Sequence, residues 1–320
     1  MKQDGNVPEK QGSKCPTCGR IPVFGAQFCP YCGANLAAAA TGRAILPIPD
    51  RKTLAGDCAV LFCGDGQFDI RRAGRLVSEA LKRPLGDVTR TMKISKGIIA
   101  DGMDAAAAAD LAGQLEAEGV PVLLLPDKDL HNVPPVMRMK SAGFGREGMR
   151  CEAYLWDATE HMSLAWRNVL LVSCGRLQLS EVVEVENETP EEEGRSRPRR
   201  RLKLPGCPEI PELATETWHE YVMDIFCDDP WVRLRLDENT AAYALVDVGS
   251  LTEGKRAFYK AAGQIVKNAP DVPVNEGVKL LASNAPAELW EGVIFEDKRD
   301  FDRYNMWLLQ LARHGYPIGA

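Results

Sequence analysis

Four of the ten cysteines stand in two Cys-x-x-Cys pairs near the N-terminus, Cys15 with Cys18 and Cys29 with Cys32. Each pair places two sulfur atoms on one tight turn, and two such turns supply four thiolates to one tetrahedral metal ion. The ten residues between the pairs are enough for a short hairpin but too few for a hydrophobic core. We therefore predict one structural zinc ion, bound by these four cysteines in a zinc ribbon over residues 15–36.

The residues around the two pairs favour a closed metal site. Pro16 and Pro30 fix φ after the first cysteine of each pair, while Gly19 and Gly33 follow the second cysteine, where the chain must turn sharply. Because thiolates take all four positions of the tetrahedron, no position is left for a catalytic water. A redox-active dithiol and an iron ion in a rubredoxin-like site are the alternatives to structural zinc.

The same segment resembles the short zinc ribbons found at the N-terminus of many bacterial multidomain proteins. Their pattern is Cys-Pro-x-Cys-Gly, a short spacer and Phe-Cys-x-x-Cys-Gly-x-x-Leu, and its members here are Cys15, Pro16, Cys18, Gly19, Phe28, Cys29, Cys32, Gly33 and Leu36. The resemblance implies a structural metal. It implies little about the activity of the whole chain.

Outside the ribbon, the residue types that do chemistry are scattered. The other six cysteines are expected to be small buried apolar side chains in a reducing compartment; they are Cys58, Cys63, Cys151, Cys174, Cys207 and Cys227. The four histidines are far apart in sequence, and none stands in a metal-ligand pattern. Because no phosphate-binding loop or nucleophile motif is present either, we expect a protein that is not an enzyme.

Composition limits the remaining function classes. The formal net charge of −6 argues against a general nucleic-acid binder, which usually carries a basic excess or a basic face. No apolar run approaches the roughly 20 residues that a membrane-spanning helix needs. The N-terminus is polar and has no apolar segment typical of a signal peptide. The sequence therefore predicts a cytoplasmic protein without a membrane span.

The chain divides into segments that differ in composition and periodicity. They are a flexible polar leader (1–14), the zinc ribbon (15–36), a linker (37–52), a small α/β module (53–126), a connector (127–147) and an α+β domain (148–320). Residues 181–201 within the last domain are acidic first and basic afterwards. Because they have too few apolar side chains to bury, this charged loop is predicted to be disordered.

Short apolar runs and helical periodicity predict the elements of the small module. Cys58 to Cys63 and Val120 to Leu125 are typical of buried strands. The predicted helices run from Ile70 to Leu81, for a short stretch from Val88, and from an N-cap at Asp104 to a stop at Gly119.

The order of these elements resembles the C-terminal domain of the bacterial ribosomal stalk protein, whose fold the Clp protease adaptor shares. The resemblance covers about residues 54–126, and the positions that carry it are Gly102, Asp104, Ala108, Leu111, Leu115, Gly119 and Val120 to Leu124. It implies a protein-binding module. No binding residues are carried over, because Ala105, Ala106 and Ala107 stand where the stalk protein usually has charged residues.

The last domain is predicted to contain strands followed by helices. Cys151 to Trp156, Leu164 to Ser173 and the hairpin of Tyr221 to Cys227 with Trp231 to Leu236 have strand character. In the second hairpin strand, Arg233 and Arg235 alternate with apolar residues, which is typical of a half-buried strand. Two helices are predicted. The first begins with a capping box at Ser250 and Glu253, and its apolar face continues to Val266. The second begins at about Asp300 and ends at His314. This order is similar to that of pleckstrin-homology-like domains.

Taken together, the sequence predicts a zinc-binding, non-enzymatic scaffold for protein–protein interaction. The zinc ion is expected to stabilise the fold of the ribbon. The partner is expected to be a protein. The first alternative is a nucleic-acid-binding protein that uses the ribbon and the arginines between Arg195 and Arg201. The second is an enzyme of unrecognised type, which requires a deep pocket with converging polar groups.

Overall fold

The computed structural model of the chain describes residue 20 and residues 45–64, 68–155, 158–184, 213–238, 242–244, 251–253 and 255–318. The predicted leader, the ribbon apart from Arg20, and the first part of the linker lie outside the described residues. Residues 185–201 of the predicted charged loop lie outside them as well. The described part is a mixed α+β protein with two sheets.

The small module forms an antiparallel three-stranded sheet in the order β2-β1-β3, with its three longer helices on one face. Its elements are β1 (Asp57–Phe62), α1 (Ile70–Leu81), α2 (Leu85–Ser95), β2 (Ile98–Asp104), α3 (Ala105–Ala117), β3 (Val122–Pro126) and α4 (Asp127–Leu130). The predicted strands and helices are confirmed to within a few residues. Strand β2 is not among the predicted elements, because its short apolar start is followed at once by Asp101 and Gly102, residues that are uncommon within strands.

Local signals explain where the helices of this module begin and end. The Asp69 carboxylate accepts hydrogen bonds from two backbone N–H groups at the start of α1. Asp104 does the same for Ala106 and Ala107 at the start of α3, as the sequence predicts. Gly119 follows α3 with φ of 77°, a left-handed conformation that favours glycine.

Among the described residues, the large sheet contains nine strands, and it begins within the segment predicted as a connector. Its strands are β4 (Val136–Phe144), β5 (Gly148–Leu155), β6 (Ala158–Ala165), β7 (Val169–Glu184), β8 (Leu213–Asp228), β9 (Trp231–Asp237), β10 (Ala242–Ala244), β11 (Leu251–Glu253) and β12 (Ile294–Phe295). The main path is β11-β10-β4-β9-β8-β7-β12, and β5 and β6 extend from β4. Strand β4 pairs in parallel with β9 through its first half and with β10 through its second half.

Helices cover both faces of the large sheet. They are α5 (Lys255–Asn268), α6 (Glu276–Ala282) and α7 (Lys298–Arg313), and short 3-10 helices occupy Trp166–Asn168 and Ala287–Val293. Helix α7 begins after the N-cap Asp297, and its apolar residues Phe301, Tyr304, Leu308 and Leu311 are buried as the sequence predicts.

Helix α7 lies between the two sheets and belongs to the core of both. Its buried side chains pack with the large sheet, while Leu311 packs on the face of the small sheet opposite to α1, α2 and α3. Trp307 contacts the apolar cores on both sides, and its Nε1 donates to the carbonyl of Phe62 at 2.7 Å. The small module therefore has its own core beneath α1, α2 and α3, while the opposite face of its sheet shares α7 with the last domain.

Three boundaries differ from the sequence-based expectation. The connector 127–147 contains α4 and all of β4, whose alternation of buried and exposed residues is interrupted by a register shift after Met139. Glu253 lies in strand β11 and not in the first turn of a helix, so helix α5 starts later, at Lys255. Residues 181–184, predicted to begin the disordered loop, end strand β7.

No helix in the described part of the chain is both long and apolar enough to cross a membrane.

Candidate functional site

The predicted zinc ligands Cys15, Cys18, Cys29 and Cys32 lie outside the described residues, so the zinc site stays a prediction. Within the described residues, no group of three or more His, Cys, Asp or Glu side chains is arranged to bind a metal ion. Five of the six other cysteines are buried free thiols, which confirms the expectation for them; they are Cys58, Cys63, Cys151, Cys174 and Cys227. Cys207 lies outside the described residues.

Burial makes these thiols unreactive. It raises the pKa of Cys63 and of Cys227 to about 12, and that of Cys151 to about 11. A thiol is a poor nucleophile when it stays protonated at neutral pH. No thiol in the described residues is therefore a candidate for catalysis.

A buried ion network links the large sheet to helix α7. The carboxylate of Asp224 on β8 is fully buried and accepts hydrogen bonds from Arg233 and Arg235 on β9. Both guanidinium groups also contact Asp302 near the start of α7. The side-chain amide of Asn305 on α7 donates a hydrogen bond to Asp224 at 2.6 Å, and its Oδ1 accepts a hydrogen bond from the hydroxyl of Ser173 on β7.

The two arginines of this network are only 4% and 5% exposed, so the expectation of a half-buried strand is wrong for them. Burial by itself would raise the pKa of Asp224, but the two guanidinium groups outweigh burial and hold that pKa below its usual range. The two positive charges of the arginines match the two negative charges of Asp224 and Asp302. We infer that this network positions α7, because the hydrogen-bonding groups of the network bond to one another.

The outer edge of β7 is closed by a second set of buried polar contacts. The side chain of Asn275 accepts from the N–H of Cys174 at 2.8 Å and donates to the carbonyl of Cys174 at 2.9 Å. Its Oδ1 also accepts from Val278 as the N-cap of α6. A bridge between Val172 and Val274 and the pairing of β12 with β7 cover the neighbouring positions. These contacts are structural as well.

A groove of about 1250 Å³ opens along strands β4, β5 and β6 and the turn that joins β4 to β5. We call it the outer groove; it is lined by Ser141 to Gly143, Gly145 to Glu152 and His161 to Ala165. The lining side chains that are exposed or half-buried alternate with buried residues of the core, such as Met149, Cys151 and Leu164. The groove therefore faces solvent, on the side of the sheet that does not pack against the core.

One polar cluster runs across the three strands of the outer groove. Ser141, Glu152 and His161 occupy directly opposite positions in β4, β5 and β6. The Glu152 carboxylate accepts from the Ser141 hydroxyl at 3.3 Å and lies 3.3 Å from Nε2 of His161 and 3.5 Å from Nζ of Lys140. Ser141 and His161 both contact the carboxylate, and no hydrogen bond joins them in the described structure. The cluster thus lacks the nucleophile-to-base contact of a catalytic triad.

Sequence reasoning missed this cluster for a simple reason. His161 follows Glu152 by nine residues, and only the register of β5 against β6 places the two opposite each other. Seen singly, His161 has no ligand or catalytic partner in the sequence. The arginines between Arg195 and Arg201, the alternative nucleic-acid site, lie outside the described residues.

Comparison with protein families, with characterised proteins and with solved structures finds no match for this chain. The resemblances to zinc ribbons and to the stalk-protein domain therefore stay predictions. A proposal for the function depends on the cysteine pattern and on the geometry of the outer groove.

Proposed function

We propose that this chain is a non-enzymatic scaffold that binds a partner protein in the outer groove and carries one structural zinc ion on Cys15, Cys18, Cys29 and Cys32. The proposal places the protein in the cytoplasm. A pleckstrin-homology-like fold for the large domain is part of the same proposal.

The observation that carries the proposal is the shape and composition of the outer groove. Its exposed side chains are mostly small or polar, and it extends over three strands. Enzymes usually bind their substrates in enclosed pockets with converging polar groups, whereas this groove is open along the sheet. An open surface with backbone close to solvent suits a polypeptide partner.

The packing of the side chains behind the groove also favours the role of a scaffold. The inner side of β4, β5 and β6 contributes Met139, Phe144, Met149 and Leu164 to the main core, which α7 also joins. Buried side chains hold the strands in place because protein interiors are close-packed and resist deformation. A groove on such a sheet keeps its shape while a partner binds.

The proposal is tested by site-specific photocrosslinking in cells of the native host. A benzophenone amino acid replaces Ser163, an exposed residue of the groove lining. The matched control carries the same amino acid at Lys267, an exposed residue of α5, which packs on the inner side of the sheet. We expect a discrete protein crosslink at position 163 that is absent at position 267.

Other outcomes contradict the proposal. No crosslink at position 163, or the same set of crosslinks at both positions, would mean that the groove does not select a partner. A crosslinked species that nuclease removes would favour the nucleic-acid alternative. Turnover of a small molecule that is lost on Glu152→Gln substitution would favour the enzyme.

A further inference from the structure

Strand β6 has one edge that no other strand covers in the described part of the chain. Its eight residues, Ala158 to Ala165, pair with β5 one for one and without a register shift. No other described strand pairs with β6, and no described backbone group from outside the strand hydrogen-bonds to its free edge. The edge therefore presents alternating N–H and C=O groups that point away from the sheet.

The free edge of β6 contrasts with the edge of β7. At β7 the protein uses a strand, a bridge and the buried amide of Asn275 to satisfy the same kind of backbone group. Edge strands are commonly protected by proline, by bulges or by a covering element. Strand β6 contains no proline, pairs without a bulge, and has no covering element among the described residues. Its one carboxylate, Glu160, alternates with His161 and so lies on the face opposite the outer groove. Strand β6 is a regular template for one more strand.

The charges beside this edge favour an acidic ligand. The Glu152 carboxylate is engaged by Ser141, Lys140 and His161. In contrast, Arg146 and Arg150 line the groove with exposed side chains that make no hydrogen bond or ion pair within the described residues. Glu147, in the turn beside Arg146, also lines the groove with an exposed side chain. The lining therefore offers two cations and one carboxylate that are not engaged within the described residues, although the chain as a whole has a formal charge of −6.

The position of Arg150 places one of these charges within reach of an added strand. Arg150 lies directly opposite Ser163 of β6. Neighbouring strands are about 4.8 Å apart, so a strand added to β6 runs about 10 Å from the backbone of β5. The short side chain of Ser163 leaves room for the guanidinium to extend across β6. A glutamate on the added strand can meet it above Ser163.

We propose that the outer groove binds an extended, acidic segment of a partner protein, which adds to the free edge of β6 as a further strand and pairs a carboxylate with Arg150. This inference rests on the proposed function, because it specifies the chemistry of the partner that the groove takes. The backbone pairing supplies affinity, and the pairing of the carboxylate with Arg150 supplies the preference for an acidic sequence.

The test uses a random library of 12-residue linear peptides displayed on phage and selected on the full-length protein. Selected sequences are synthesised, and their affinity is measured by fluorescence polarisation. We expect enrichment of Asp or Glu and at least a tenfold loss of affinity with Arg150→Glu. The matched control Arg90→Glu makes the same charge change on the exposed face of α2 and is expected to stay within twofold of the wild type.

Backbone pairing is tested with the same peptides. In an added strand, every second N–H group points toward β6 and the others point to solvent. N-methylation of one alternate set should therefore abolish binding, while methylation of the other set should leave it within a few-fold. Arg150→Lys, which keeps the charge, should bind more tightly than Arg150→Glu and so separates loss of charge from any general loss of structure.

The inference is overturned if no peptide is enriched, if Arg150→Glu binds as well as the wild type, or if both methylated sets bind equally. Failure of this inference can be distinguished from failure of the proposed function. A partner that crosslinks at position 163 but is unaffected by Arg150→Glu contradicts the acidic-strand inference and leaves the scaffold proposal standing.

Discussion

The buried carboxylate of Asp224 gives the sharpest prediction for stability. Its Oδ2 accepts from Arg233, Arg235 and Asn305, and its Oδ1 accepts from Nε of Arg235 at 2.8 Å. Asp224→Asn replaces one of these oxygen atoms by an NH2 group, which then faces a donor in either orientation. The substitution also leaves the two buried guanidinium groups with Asp302 as their only carboxylate in the network.

We expect Asp224→Asn to lower the free energy of unfolding by about 3–5 kcal/mol, the cost of removing one partner from a buried ion pair. Asp302→Asn is the matched control, because it makes the same chemical change in the same network. The side chain of Asp302 is 39% exposed, so water replaces much of what it loses. We expect that control to cost about 1 kcal/mol or less.

The network also makes stability depend on pH. The pKa of Asp224 is lower in the folded protein than in the unfolded chain, where an aspartate titrates near 3.9. Its contribution is therefore complete above about pH 5 and is lost as the pH falls through the folded-state pKa. In Asp224→Asn this part of the acid sensitivity should be absent, whereas the Asp302 control should keep it.

Urea unfolding, followed by tryptophan fluorescence and circular dichroism at pH 7 and at pH 3, below the pKa of an aspartate in the unfolded chain, measures both effects. A loss below about 1 kcal/mol for Asp224→Asn, or equal losses for the two variants, would refute the reasoning. Either result would mean that the Asp224 carboxylate does not hold the two arginines against α7.

Three further predictions concern the outer edge of β7, the contact between α7 and the small module, and the predicted zinc site. Asn275→Ala leaves the N–H and C=O groups of Cys174 without partners, and urea unfolding should show a loss of about 2–4 kcal/mol; a loss under 1 kcal/mol would contradict it. A Cβ added at Gly97 would overlap the indole of Trp307, so Gly97→Ala should destabilise the protein, and the double variant with Trp307→Ala should lose less than the sum of the single variants; additive losses would contradict this. Elemental analysis should find about one zinc per chain, with almost none after the four predicted ligand cysteines are changed to serine; stoichiometric iron or under about 0.3 zinc in the wild type would exclude the zinc site.

Local signals made most helices of the small module predictable. The aspartates at positions 69 and 104 and the glycine at 119 act within a turn of the chain, so their effect on α1 and α3 is visible in the sequence. The apolar face of α7 was equally clear, because Phe301, Tyr304, Leu308 and Leu311 recur at helical spacing. That face does not reveal that two sheets share the helix, since periodicity shows which side chains are buried and not what covers them.

Contacts between residues that are far apart in the chain explain most of what sequence analysis missed. Arg233 and Arg235 alternate with apolar residues, which usually marks a solvent-facing side of a strand. They are buried because Asp224 and Asp302 neutralise them. Asp302 is 69 residues away from Arg233 in the chain. Val266 illustrates the opposite error, since it falls on the predicted apolar face of α5 and yet is 38% exposed.

The outer groove was unpredictable for the same reason. Its polar cluster depends on the pairing of β4, β5 and β6, and β4 lies in a segment that two adjacent prolines and several glycines make look like a connector. Only the cysteine pattern, whose ligands are close in sequence, could be interpreted without knowledge of the pairing.

The most direct test of the central proposal is the affinity of the purified crosslinked partner for variants of the groove. Titration calorimetry compares the wild type with Ser163→Trp, which fills the space opposite Arg150, and with Ser163→Ala, which removes only a hydroxyl group. The scaffold proposal predicts at least a tenfold weaker complex for the tryptophan variant and a change within twofold for the alanine variant. Equal affinity for all three proteins would show that the partner does not bind in the outer groove and would contradict the proposal.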